Sequence, residues 1–237
     1  MGDVMQAERV AKGQGAFHGF RPKAGASIWC ENAPEQLPTL DMEQGHPQLI
    51  MRRGLLSPDQ CQALIDCFER CIDTCGAQSD DEFWDGRFIW QDKLPPHEAE
   101  ALRITQQARL VIQLELILRL RPPVPLFSDT AQIVRWGVGQ ALTPHADNIE
   151  PDGRPNATPH RSLSSIVYLN DDYEGGETFY PGLGFKVRPE RGTLVAFGAG
   201  PSHVHGVTAV TSGLRYTYAG WFTFDASWED KVARKVY

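Results

Sequence analysis

The sequence predicts a mainly β domain with flanking helices, arranged as a double-sheet jelly roll. Three observations lead there. Two helical stretches occupy the first half of the chain, short β-branched or aromatic runs punctuated by Gly, Pro, Asn and Asp fill it from Ala131 onward, and no internal repeat is visible in its 237 residues. Two helices followed by about eight short strands suit two packed sheets backed by helices. A β-rich domain of this length buries one sizeable core and need not be divided.

Residues 1–46 mix Gly, Pro, Gln and charge with little periodicity, so they read as a loosely structured N-terminal arm or lid with one short strand near Ala26 to Cys30. Residues 47–237 are the expected domain. A strand from Gln48 to Leu56 leads into Ser57-Pro58-Asp59. There Ser57 caps a helix, Pro58 suits its first position and Asp59 favours the positive end of the dipole. That helix runs to Cys75 and stops at Gly76, and its Cys61, Leu64, Ile65, Phe68, Ile72 and Cys75 recur at intervals of three and four, one stripe against a core. A second helix spans Glu98 to Leu120 and is closed by Pro122-Pro123. Strands follow at Gln132–Trp136, Leu163–Leu169, Glu177–Tyr180, Gly184–Arg188, Thr193–Phe197, His205–Val210 and Leu214–Phe224.

A net charge of −7 and a pI near 5.5 argue against nucleic acid and anionic membrane as partners, because neutralising phosphates requires a Lys/Arg surplus. No apolar run reaches the roughly 18 residues of a spanning helix, and the first residues lack an apolar signal core, so the expected location is the cytoplasm. Four of the five cysteines crowd into residues 61–75. They lack the short CxxC turns of zinc or iron–sulfur sites and read as reduced core thiols.

Chemistry concentrates in the β-rich half. An iron(II) oxygenase that binds a co-substrate and O₂ at one metal keeps one face for two imidazoles and a carboxylate and leaves the other positions open. His145-Ala146-Asp147 places two such ligands at i and i+2, on one side of an extended chain. His205 is the best third ligand, since Arg215 follows ten residues later and can grip a carboxylate with its planar fork. His203 competes, two residues earlier on the same face of an extended strand.

The run from Trp136 to Asp147, the stretch Ser164-Ser165-Ile166-Val167-Tyr168-Leu169-Asn170, the segment Gly175-Gly176-Glu177-Thr178-Phe179 and the His205 to Arg215 run together resemble the catalytic domain of prolyl 4-hydroxylase-type Fe(II)/2-oxoglutarate-dependent dioxygenases. The resemblance covers roughly residues 47–228, most firmly after Gln132. It implies a double-stranded β-helix of cupin-like form, with His145, Asp147 and His205 as iron ligands, His203 being set aside because the Gly-Val-Thr after His205 and the distance to Arg215 match the family. It further implies that Arg215 and Tyr168 hold the distal carboxylate of 2-oxoglutarate, that Thr178 lines the co-substrate pocket, and that Trp221 forms its floor. Trp136 and Leu142 stand where the family usually has tyrosines, and Trp136, also expected at the co-substrate, donates one hydrogen bond but accepts none.

The expected activity is hydroxylation of an unactivated C–H bond of a small amino-acid-like or peptidyl, prolyl-type substrate. Fe(II), 2-oxoglutarate and O₂ would be consumed or cycled, with ascorbate as an accessory reductant. A catalytically silent jelly-roll binding module, a cupin-type metalloenzyme needing no oxoglutarate, and a natural-product tailoring oxygenase of the same family are the alternatives. The 148–161 loop after Asp147, with Gly153, Pro155 and Pro159, is a lid candidate alongside the arm.

Overall fold

A computed structural model describes residues 34–43, 45–79 and 83–231. The strand expected near Ala26 to Cys30 lies outside them. Along the chain come β1 (Thr39–Leu40), β2 (Ile50–Arg52), α1 (Pro58–Cys75), β3 (Phe88–Trp90) and α2 (Ala99–Leu120). Then follow β4 (Phe127–Trp136), β5 (Leu142–His145), β6 (Leu163–Tyr168), β7 (Glu174–Gly175), β8 (Thr178–Tyr180) and β9 (Phe185–Val187). The chain closes with β10 (Leu194–Gly198), β11 (His205–Val207), β12 (Val210–Ser212) and β13 (Arg215–Thr223).

Helix α1 begins as its sequence requires. The Ser57 hydroxyl accepts from the Gln60 amide at 3.2 Å, and the Gln60 side chain accepts from the Ser57 amide at 2.9 Å, so two otherwise unsatisfied donors are closed reciprocally. At its end Gly76 is not left-handed, with φ of −57°. Glycine is needed there for room, because a Cβ would run into the Ile72 carbonyl. The second helix instead ends on Arg121 in the left-handed conformation, since the following Pro122 bars it from continuing the helix.

The strands form a six-stranded sheet in the order β2-β10-β6-β13-β4-β3, a five-stranded sheet in the order β1-β9-β8-β11-β5, and a small β12-β7 pair. One face of the larger sheet packs on α1 and α2. Along β13 the aromatic residues Tyr216, Tyr218 and Phe222 enter that core with Ile104, Ile112, Leu116, Leu64 and Phe68. Strand alternation then turns Arg215, Thr217 and Trp221 the other way, toward the space between the two sheets. That space is filled at one end by Tyr168, Tyr180, Phe185, Val187, Val195 and Phe197, and at another by Trp84, Phe88, Val134, Trp136, Val207 and Val210.

Several boundaries differ from the sequence reading. The Gln48 to Leu56 strand is only Ile50–Arg52, because the chain turns at Gly54 with φ of +63°. The Gln132 strand starts earlier, at Phe127. The His205 to Val210 run splits into β11 and β12, with Thr208 bonding Glu177 and Val210 bonding Gln140 between them. Strand β5 has no alternating signature and carries Pro144, which the sheet tolerates because β5 is an edge. The described end of the arm adds an edge too, with Thr39 and Leu40 pairing in parallel with Lys186 and Val187.

Candidate metal centre and co-substrate cradle

His145 and His205 are directly opposed residues of antiparallel β5 and β11, so their imidazoles meet as cross-strand neighbours with ring centroids 4.5 Å apart. Asp147 lies just past β5, where its amide bonds the Ala199 carbonyl at 2.9 Å and turns the carboxylate back between the two rings. His145 Nε2 is 3.5 Å from Asp147 Oδ1, and His205 Nε2 is 3.9 Å from Asp147 Oδ2. One ligand atom from each residue falls within 4.8 Å of the others.

Backbone geometry prepares both imidazoles. His145 Nδ1 faces the Thr143 carbonyl and His205 Nδ1 faces the His203 carbonyl, each at 3.0 Å. A carbonyl only accepts, so each Nδ1 carries a proton and each Nε2 is the ring atom turned toward Asp147. Ser164 donates a short hydrogen bond to Asp147 Oδ2. Burial opposes charge on Asp147, yet His205, His145 and Arg161 overcome it and hold the carboxyl well below the usual range. Burial and the neighbouring His145 depress His205 to about 4. At neutral pH the set therefore offers a carboxylate and a neutral His205 imidazole, the forms a metal requires. For His145, burial favours the neutral ring, but Asp147 tips its affinity for a proton upward. His203 sits apart, in a 3-10 turn (Pro201–His203) rather than on a strand, with Nε2 on the Gln48 carbonyl at 3.0 Å.

A second group of polar side chains lies around Arg215, which is 1% exposed. Its guanidinium reaches the Thr178 hydroxyl at a long 3.4 Å, and no carboxylate among the described residues pairs with it. The Tyr168 hydroxyl donates to the same Thr178 oxygen at 2.8 Å. Arg215 Cζ stands 5.5 Å from the ring centres of both Tyr168 and Trp136. Three buried polar atoms of this group have no acceptor among the described residues: Arg215 Nε, Trp136 Nε1 and the Tyr173 hydroxyl. Buried donors left open are expensive, and a bound carboxylate, which only accepts, is the chemistry that closes them.

Trp221 shares the inward face of β13 with Arg215 but sits at its far end, opposite Ser164. The Arg161 guanidinium stacks 3.7 Å above its ring and pairs with Asp129 Oδ2 at 3.3 Å. His160 bonds the same carboxylate at 3.1 Å and stacks flat on Trp228. The 148–161 loop is bolted at both ends: Thr158 donates to the Asp147 carbonyl at 2.7 Å, and Asn148 to the Arg161 carbonyl at 2.8 Å.

Sequence reasoning missed Ser164, Arg161 and Tyr173. Alternation along the Leu163 strand could have placed Ser164 beside Tyr168 on the inner face, and an arginine two residues before a buried strand was a signal of its own. Another donor set, Cys67, Cys71 and Glu98, also gathers within 4.8 Å. Both Glu98 oxygens are already held by Arg70, at 3.0 and 2.7 Å, and burial keeps the Cys67 thiol protonated. These cysteines remain core.

The model of the 2OG-Fe(II) oxygenase superfamily matches residues 131–223, the stretch that holds every residue of the two clusters. This segment is a 2OG-Fe(II) oxygenase superfamily domain. Over 93 residues the chain is 38% identical to prolyl 3-hydroxylase 2 of Homo sapiens, covering 34% of this chain and 13% of that protein. Over 223 residues it is 26% identical to prolyl 3-hydroxylase 1 of Rattus norvegicus, covering 75% and 29%. The chain thus spans less than a third of the length of these curated relatives. Among solved structures it is similar to the viral collagen prolyl hydroxylase from Paramecium Bursaria Chlorella virus-1 in its 2OG complex, with a TM-score of 0.58, 20% identity and coverage of 77% and 98%. That likeness shows the fold, a double-stranded β-helix. Among the described residues no helix is long and apolar enough to cross a membrane.

Proposed function

We propose that the chain is an Fe(II)- and 2-oxoglutarate-dependent dioxygenase that hydroxylates an unactivated C–H bond of a prolyl-type substrate, free or peptidyl. The observation that carries the reading is Arg215: a fully buried guanidinium with no carboxylate partner among the described residues, inside the same two-sheet interior as the His145, Asp147 and His205 set. A buried cation is stable only when paired, so the fold leaves the place of its counter-ion to a ligand.

His145, Asp147 and His205 would hold the iron, with Ser164 fixing the Asp147 oxygen and the two backbone carbonyls fixing the ring orientation of the histidines. Arg215 and Tyr168 would take the distal carboxylate of 2-oxoglutarate, while Thr178 links them and Trp136 walls the cradle. Trp221 is kept as a wall of the same interior at the Asp147 end. When bound, Fe(II), 2-oxoglutarate and O₂ supply the oxidation, in which decarboxylation of the co-substrate to succinate is coupled to insertion of one oxygen atom into a C–H bond. The protein's part is to orient the reactants and exclude water.

The prolyl-type substrate is supported by the names of the relatives, and it makes proline-containing peptides and free proline the first compounds to try. A cytoplasmic location, residues 1–46 as a separate arm or lid, and ascorbate as reductant belong to the same proposal. The discriminating experiment incubates the protein with Fe(II), O₂ and 2-oxoglutarate and follows succinate together with a mass gain of one oxygen on proline-containing peptides, free amino acids or oligonucleotides. Succinate with oxygen on a prolyl substrate is expected. Absence of succinate would turn the reading toward a silent jelly roll or an oxoglutarate-independent metalloenzyme, and modification confined to oligonucleotides would overturn the substrate class.

A further inference from the structure

Tyr173 lies on the connection between β6 and β7, outside every motif that the sequence reading used. Although it sits on a loop, its hydroxyl is buried, and nothing among the described residues accepts from it. Two glycines set its position. A Cβ at Gly176, a residue with φ of +61°, would stand 2.9 Å from Arg215 Cδ and 3.1 Å from Tyr173 Cε2. The bare backbone of Gly176 therefore lets the Tyr173 ring and the Arg215 side chain close on the same spot. Gly213, at φ of +77°, does the same for the tyrosine backbone, since a Cβ there would be 3.1 Å from Tyr173 Cβ. The Arg215 charge is also felt at the phenol: burial makes Tyr173 a weaker acid, and Arg215 acts against that.

A buried phenol with an open donor is unfavourable unless an acceptor arrives. Arg215 cannot be that acceptor, because a guanidinium only donates, and neither can Trp136, whose indole nitrogen only donates. Arg215 thus has two neighbours with open donors, Tyr173 across Gly176 and Trp136 with its ring centre 5.5 Å from Arg215 Cζ, and nothing among the described residues accepts from them. The phenols that the family resemblance expects at positions 136 and 142 are here an indole and an aliphatic chain. We propose that Tyr173 supplies the missing phenol, donating to the distal carboxylate of the co-substrate beside Arg215 and so setting selectivity for a dicarboxylate keto acid. This inference rests on the proposed function and adds a binding residue to it.

The test is calorimetric titration of the full chain, loaded with Fe(II) under anaerobic conditions, with 2-oxoglutarate and separately with 2-oxobutyrate, which lacks the distal carboxylate. A hydrogen bond from a neutral donor to a charged group is worth about ten-fold in affinity. Tyr173→Phe should therefore weaken 2-oxoglutarate about ten-fold and leave 2-oxobutyrate unchanged. The ratio of the two affinities is internal to each variant, so it remains readable if the melting temperature falls, and Tyr173→Met should shift the ratio in the same direction. An unchanged ratio in Tyr173→Phe, or equal weakening of both keto acids, overturns the role of Tyr173 while leaving the reading of Arg215 intact. If wild-type protein fails to bind 2-oxoglutarate, or Arg215→Leu binds it as wild type does, the proposed function falls and this inference with it.

Discussion

Two arginines are buried to almost the same degree on opposite faces of the larger sheet, Arg109 at 3% exposure and Arg215 at 1%. Arg109, on α2, has a counter-ion and both terminal nitrogens bonded, though its Nε, like that of Arg215, is left open: Asp230 accepts from both terminal nitrogens at 2.9 Å, the Asp129 carbonyl from one at 2.8 Å and Gln91 from the other at 3.2 Å. Arg215, on β13, has among the described residues no carboxylate and no carbonyl, but the distant Thr178 hydroxyl and the neighbouring phenols of Tyr168 and Tyr173. The same side chain is thus neutralised by the chain itself where it joins helix, sheet and C-terminal segment, and left without a counter-ion where it faces the two-sheet interior. On the proposed function the difference separates a structural cation from a ligand-binding one, since an unpaired buried charge persists only where something else bears on it.

The comparison breaks most sharply at the metal set. His205→Ala, His145→Ala and Asp147→Ala are each expected to abolish turnover while the protein stays folded. His203→Ala should remain active, because the His203 side chain bonds the Gln48 carbonyl and its bond to His205 is made by a backbone carbonyl that the substitution keeps. Succinate release under identical loading decides it, and an active His205→Ala beside a dead His203→Ala would reverse the ligand assignment.

Next in size are the two arginines themselves. Arg215→Leu should raise the 2-oxoglutarate requirement by about a hundred-fold or more, from the loss of a charge-assisted fork, without lowering the ligand-free unfolding free energy. Arg109→Leu should do the reverse, destabilising the fold by about 3 kcal/mol because Asp230 is left without its partner, with oxoglutarate affinity unchanged. Denaturant midpoints and keto-acid titration on both variants check the pair. Equal destabilisation by the two substitutions would erase the distinction.

A smaller effect sharpens it. Metal added at a hundred-fold excess over its dissociation constant should stabilise the protein by about 2.7 kcal/mol, read as a rise in melting temperature that Asp147→Ala loses. Smallest is Thr178→Val, which removes the hydroxyl shared by Tyr168 and Arg215 and should weaken 2-oxoglutarate several-fold, with the fold kept by the similar volume.

Legibility in the sequence followed the range of the interaction concerned. Helix α1 could be read almost to the residue, since its capping box and apolar spacing are local features. Strand β5, which presents His145, could not, because an edge strand with a proline has no alternation to show. Alternation could place Ser164 on the inner face, but not its bond to Asp147 or the stacking of Arg161 on Trp221, as these residues meet across the sheet rather than along the chain.

Which residues have the chemistry can be read along the chain: an imidazole–carboxylate pair at i and i+2, a further histidine 60 residues on, and an arginine ten beyond that. Their protonation and pairing depend on the fold. The pairing of His145 with His205 across two strands brings the rings together, the carbonyls of Thr143 and His203 choose which nitrogen keeps its proton, and the turn that takes His203 out of the strand removes it from the contest. The same holds at Arg215, where the absence of a carboxylate and the approach of Tyr173 over Gly176 are properties of space. Residue types are covalent and local, whereas protonation and pairing depend on which groups share a low-dielectric interior, and that is settled only when distant strands close on one another.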